Sequence, residues 1–178
     1  MKELSAMKVL MIIARSNFRD EEYLEPRKAL ESAGVVVSVA SSSLETAVGM
    51  LGMRVKPDML IGTVREEDYD GIVFIGGGGA KEYFNDPVAL DLAKKFSSHG
   101  KLTSAICIAP ATLANAGVLK GKKATSFPSS EGALRAHGAV VTKDEVVTDG
   151  RIVTAVGPEA ARKFGEKLVD VLSSQGKP

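Results

Sequence analysis

The sequence predicts an α/β fold, a mostly parallel sheet with helices on both faces. Short apolar runs supply the first sign: "VLMIIA" (9–14), "VVVSVA" (35–40), "GIVFI" (71–75) and the more mixed "LTSAI" (102–106). Such continuous runs, rich in β-branched residues, suit strands buried on both sides. Helical patterns lie between them, with recognisable start and stop signals. The two alternate as β-α-β, which favours parallel pairing through helical crossovers.

The elements follow in order. "MKELSAMKVLMIIA" reads as a frayed start followed by the first strand, because its apolar run is too short for a signal peptide or a bilayer span. Residues 22–33 carry Leu24, Ala29, Leu30 and Ala33 and end at Gly34, a good residue just past a helix. Pro26 is tolerated only near a helix start, so this helix is expected to begin around Glu22. Residues 44–61 contain Gly49, Gly52 and Pro57 and read as a small antiparallel excursion. Asp86-Pro87 is an N-cap followed by proline at the first helical position, and Val88, Leu92 and Phe96 follow at helical spacing. Residues 139–156 hold two or three short strands with a turn at Asp149-Gly150. A last helix over 158–172 begins at Pro158 and sets Ala161, Phe164, Leu168 and Val171 on one side. No repeat, low-complexity tract or linker interrupts the chain, so one domain over residues 1–178 is expected, with its core over about 7–172.

Composition narrows the function. The chain has 178 residues, a formal net charge of +1 and 5% aromatic content without Trp. That balance offers no bulk attraction for nucleic acid or an anionic membrane, and no base-stacking surface. A single cysteine excludes an internal disulfide and suits a reducing, cytoplasmic setting. No His/Cys/Asp/Glu cluster has metal-ligand spacing, so no required metal is expected.

Two glycine-rich stretches resemble phosphate-binding motifs without matching them. In "FIGGGGAKEYF" the final glycine of a dinucleotide fingerprint would fall on Lys81 or Glu82. In "GVLKGKKAT" three residues separate the glycines where four are needed, and Ala124 stands where Ser or Thr should. What remains is Gly76 to Gly79 at the carboxyl end of a strand, where open α/β sheets bind ligands. Its backbone N–H groups can turn the chain tightly or hold an oxyanion.

The cysteine sits in "SAICIAPATLANAG", where a strand ends and a helix begins near Pro110. Such an elbow leaves the amide of Ile108 free to donate to a developing oxyanion, and a helix N-terminus favours thiolate. Cys107 flanked by Ile106 and Ile108 also suits a buried filler, and the local sequence leaves both readings open. Neither histidine is a convincing base. His99 precedes the cysteine strand and should lie at the opposite end of the sheet, and His137 sits at a helix C-terminus. Among the carboxylates after the first strand, Asp20, Glu21 and Glu25 read as helix N-terminal charges in solvent.

Taken together, "MKVLMIIA", Glu22 four residues before Pro26, "DYDGIVFIGGGGA", "AICIAPATLANAGVLKGKKATSFPS" and "DGRIVTAVGPEAARKFGEKLVDVL" resemble the ThiJ/PfpI family over roughly residues 7–172. The resemblance implies a flavodoxin-like three-layer sandwich, a homodimer or higher homo-oligomer, and Cys107 as an elbow nucleophile. It implies that Glu22 hydrogen-bonds the cysteine sulfur as a neutral carboxyl, since a charged one would repel a thiolate. It maps the oxyanion donors onto the backbone of Gly77, Gly78 and Ile108. The sequence departs from the family twice. The protease branch has His where Ile108 stands, and the deglycase branch commonly has His where Phe127 stands. The implied activity is a cofactor-free glyoxalase or deglycase acting on a small carbonyl substrate, methylglyoxal or its early adducts, through Cys107 and Glu22. An intracellular protease or amidase is the second reading, but it needs an acid for the leaving amine. A redox sensor or stress chaperone using Cys107 oxidation is the third.

Overall fold

The computed structural model describes residues 2–174. In chain order the elements are β1 (Lys8–Ile12), α1 (Asp20–Ser32), β2 (Val36–Ser41), β3 (Ala47–Val48), β4 (Arg54–Val55), β5 (Met59–Leu60) and β6 (Gly71–Phe74). There follow α2 (Pro87–Ser98), β7 (Leu102–Ile106), α3 (Pro110–Asn115), β8 (Lys123–Ala124), α4 (Glu131–Ala136), β9 (Val140–Val141), β10 (Val146–Asp149), β11 (Ile152–Ala155) and α5 (Ala161–Ser174). Short 3-10 turns join several of them, including Leu4–Ala6, where the sequence suggested a frayed start.

A seven-stranded sheet in the order β10-β11-β7-β6-β1-β2-β5 forms the centre. Every pairing in it is parallel except the hairpin of β10 with β11, which turns at Gly150-Arg151, one residue past the expected position, because Asp149 still pairs with Ile152. The expected antiparallel excursion is the β3–β4 pair, while β5 from the same stretch joins β2 in parallel. The four expected central strands form within two residues of their apolar runs. β6, β7 and β11 are buried along their whole length, which explains their lack of alternation.

Strand order places the helices. From β1 the chain crosses to β2 in one direction, and from β6 it crosses to β7 in the other. Right-handed crossovers therefore put α1 and α2 on opposite faces. α1 packs on α5, and α2 on α3. α5 buries the expected Ala161, Phe164, Leu168 and Val171. The N-cap at Asp86 is as expected, its carboxylate accepting from Ala89 N–H at 2.9 Å.

Three helical details differ from the sequence reading. α1 starts at Asp20 rather than near Glu22, so Pro26 stands well inside it and cannot donate to the Glu22 carbonyl. Its buried face uses Tyr23, Pro26 and Leu30, while Leu24 is 38% exposed. In α2 the buried residues are Ala89, Leu92, Ala93 and Phe96, and Val88 faces outward. In both, one apolar residue lies just off the stripe that the tertiary contacts select.

Phe164 is fully buried under the sheet. Its truncation in Phe164→Ala should destabilise the fold by about 3–5 kcal/mol, read as a lower urea midpoint with an unchanged slope.

Candidate active site

Between β6 and β1 the strand connections diverge, and the carboxyl ends of neighbouring strands open a crevice there. Three segments meet at it: residues 13–19 after β1, the glycine loop after β6, and the elbow after β7. The glycine loop is tied to the first segment by backbone hydrogen bonds. Arg19 N–H donates to Gly76 O at 2.9 Å, and Gly79 N–H donates to Asn17 O at 3.0 Å.

Gly76 is required by close approach. A Cβ there would lie 2.5 Å from the Cys107 Cβ and collide with Glu22 Oε1. Gly77 has φ +100°, a conformation that L side chains rarely adopt, and a Cβ there would strike the backbone of Phe18 and Arg19. The glycines therefore let the Cys107 and Glu22 side chains and the loop backbone come together.

Cys107 is one of two non-glycine residues with positive φ among the described residues, at +66°. Left-handed backbone costs energy in such a residue and persists because its surroundings hold it. Cys107 N–H donates to Ala155 O at 2.9 Å, and Cys107 O accepts from Phe127 N–H at 2.8 Å. Both backbone groups are thus fastened across the sheet edge, and the side chain turns into the crevice. The residue is 9% exposed and its thiol is free.

The Glu22 carboxyl faces that sulfur from the first turn of α1. It is fully buried, and neither of its oxygens has a well-formed hydrogen bond among the described residues. Burial pushes its pKa up to about 8, opposed by the nearby Cys107 thiol, the Arg19 guanidinium and the Gly76 amide. At neutral pH the carboxyl is therefore mostly neutral. Burial, followed by the charge of an ionised Glu22, pushes the Cys107 thiol up to about 12. The amides of Gly77 and Ile108 face the sulfur and act in the opposite direction. The short α3 does not outweigh burial, so the resting group is a thiol rather than the thiolate suggested by the elbow position alone.

The crevice is a cavity of about 290 Å³ lined by Glu22, Gly77, Gly78, Cys107 and Ile108 together with Arg19, Met50, Lys81, Phe127, Ser129 and Pro158. All five residues singled out from the sequence line it. Phe127, at the family's frequent histidine position, is 45% exposed at the wall. Neither histidine takes part: His99 pairs with Glu66 at 2.8 Å, and His137 caps the end of α4. Among the described residues no group of three or more His, Cys, Asp and Glu could hold a metal ion, and no helix is long and apolar enough to cross a membrane.

Asp20 corrects the sequence reading. It is 5% exposed, not a solvated charge, and it accepts from Leu51 N–H and Met53 N–H at 2.8 Å each. These bonds anchor the β3–β4 turn beside the crevice and bring Met50 to its wall. No local signal marked Met50, Arg19, Lys81 or Ser129. Their common feature is attachment to the three converging segments.

A strained cysteine elbow beside a buried carboxyl, on a doubly wound parallel sheet, defines an α/β protein with its candidate site at a strand–elbow–helix turn. The chain belongs to the DJ-1/PfpI family, whose pattern matches residues 7–171. It is similar to an uncharacterized protein of Methanocaldococcus jannaschii, with 42% identity covering 96% of this chain and 84% of that one. It is 35% identical to a Pyrococcus horikoshii protein named as a deglycase, covering 93% of this chain and 99% of that one. A crystal structure of a ThiJ/PfpI domain protein from Brachyspira murdochii superposes with a TM-score of 0.94 at 34% identity, covering 99% of this chain and all of that one. The expected flavodoxin-like architecture is the one observed.

Because Glu22 holds its proton more tightly folded than unfolded, it stabilises the fold fully below pH 4.5 and loses that contribution as pH rises through about 8. Glu22→Gln should remove this dependence. Its melting temperature should gain several degrees relative to the wild type between pH 5 and pH 8, read by calorimetry. Gly76→Ala should abolish thiol-directed chemistry at Cys107 and lower stability, because the added methyl displaces Glu22 and the elbow.

Proposed function

We propose that this protein is a deglycase or glyoxalase acting on methylglyoxal or its early adducts through Cys107 and Glu22, without a cofactor. The observation that carries the reading is the buried Glu22 carboxyl facing the elbow sulfur, with the Gly77 and Ile108 amides beside it. The deglycase name of a relative similar over almost its full length supports the same class.

The chemistry follows from the groups present. The Cys107 sulfur adds to the aldehyde carbon, and the thiol proton passes to the carbonyl oxygen. The amides of Gly77, Gly78 and Ile108 hold that oxygen while it carries charge. Glu22, ionised at this stage, takes the proton from the former aldehyde carbon and returns it to the neighbouring ketone carbon through an enediol, while the hydroxyl proton on the first carbon's oxygen passes to the ketone oxygen. The product on sulfur is a thioester of a hydroxy acid. Water cleaves it, releasing lactate and restoring the thiol. A carboxyl with a pKa near 8 can give and take a proton at neutral pH, as this shuttle requires.

The protease reading is weaker because no histidine lines the crevice to protonate a leaving amine. The redox reading is weaker because the thiol is raised and nearly buried, whereas oxidant sensors need an exposed thiolate. We also propose a homodimer working in a reducing cytoplasm. Exposed Leu24, Val48, Met50 and Leu51 around the β3–β4 turn are the apolar surface it would cover. Light scattering should read twice the mass of the chain.

Lactate formation from methylglyoxal without glutathione tests the activity. Wild-type protein should turn over, while Cys107→Ser and Glu22→Gln should each lose at least about a hundredfold in kcat/KM. The wild-type rate should rise with pH along a limb centred near 8, as Glu22 ionises. No lactate from wild type with reduced Cys107 would overturn the reading.

A further inference from the structure

The charges around the crevice do not cancel. The ionisable side chains lining it are Arg19, Glu22, Lys81 and Cys107. Cys107 and Glu22 are both largely neutral at pH 7, for the reasons of burial given above. Arg19 is occupied: its Nε and Nη2 donate to the Glu21 carboxylate at 2.9–3.3 Å, so that pair is close to neutral as a unit. Lys81 is different. It is exposed at the rim and makes no ion pair among the described residues. The neighbouring Glu82 is turned away, its carboxylate accepting from Arg15 N–H at 2.9 Å. The crevice therefore carries one uncompensated positive charge at its mouth, above an interior that offers N–H donors.

We propose that Lys81 makes this protein select carbonyl adducts whose carrier bears an anionic group, such as a carboxylate. The proposal rests on the deglycase reading of the same site. The reacting carbon sits at Cys107, and the carrier of an adduct must extend outward past the rim. A carboxylate on the carrier meets the Lys81 ammonium there, while Arg19, held by Glu21, gives a weaker second attraction. A neutral carrier of the same shape gains neither. Lys81 does not touch the reacting atoms, so it acts as a specificity residue and its effect belongs in KM.

The test compares two methylglyoxal hemithioacetals. One is formed with N-acetylcysteine, which carries a carboxylate. The other is formed with N-acetylcysteamine, which lacks it. Lactate release is followed in excess thiol for the wild type, Lys81→Met and Lys81→Glu. The wild type should favour the anionic adduct about three- to tenfold in kcat/KM, as expected for one partly screened charge pair. The preference should lie in KM and shrink as salt is raised. Lys81→Met should bring the ratio close to one, and Lys81→Glu should invert it. A wild-type ratio of one, or a preference that survives in Lys81→Met, overturns the proposal while leaving the deglycase reading intact. No turnover of either adduct by the wild type overturns the deglycase reading, and the proposal with it.

Discussion

Two acids, one of them ionised in neutral water, face each other out of water, and the rest of the site depends on how that pairing is resolved. Glu22 and Cys107 cannot both ionise at this distance without strong repulsion. Burial raises both, and the carboxyl stays protonated through neutral pH. Each group therefore keeps its own proton at pH 7. A carboxyl with a pKa near 8 can give or take a proton at neutral pH, which is what the proposed chemistry asks of it. A solvated glutamate, ionised at pH 7, has no proton to give.

The fold keeps the pair together by supplying both partners from rigid positions. Glu22 lies in the first turn of a helix held by Asp20, whose carboxylate is bonded to the β3–β4 turn. Cys107 is fastened through its own N–H and C=O to β11 and to the segment before α4. The glycine loop fills the gap between them with backbone alone, since any side chain at Gly76 would displace both. The left-handed φ at Cys107 is the local cost of this arrangement, and the parallel sheet beneath it holds the strain.

The electrostatics divide into an inner and an outer part. Inside lie two neutral acids and the amide N–H donors of Gly77 and Ile108. At the rim, Arg19 is tied up by Glu21 while Lys81 is left over. No histidine lines the crevice, so among the described residues Glu22 is the one carboxyl or imidazole group at its wall.

Much of this was legible in the chain itself. The strands of the central sheet are written as apolar β-branched runs because strands covered on both faces have no polar side to alternate. Asp86-Pro87 and Asp149-Gly150 marked a helix start and a hairpin turn because caps and turns are made by neighbours in sequence. Cys107, Glu22, Gly77, Gly78 and Ile108 were singled out because strand ends, elbows and glycine runs are local, and a family resemblance joined them. Tertiary structure alone decided the rest. Asp20 looks like an ordinary helix-terminal charge, yet its partners stand 31 and 33 residues away at Leu51 and Met53. Leu24 looks like a core residue and Tyr23 does not, but the packing of α1 on α5 settles which face is buried. Whether the cysteine is a thiol or a thiolate follows from the low-dielectric surroundings contributed by distant segments. The charge at the rim is likewise a sum over β1, β6 and β7 connections, and no stretch of sequence contains that sum.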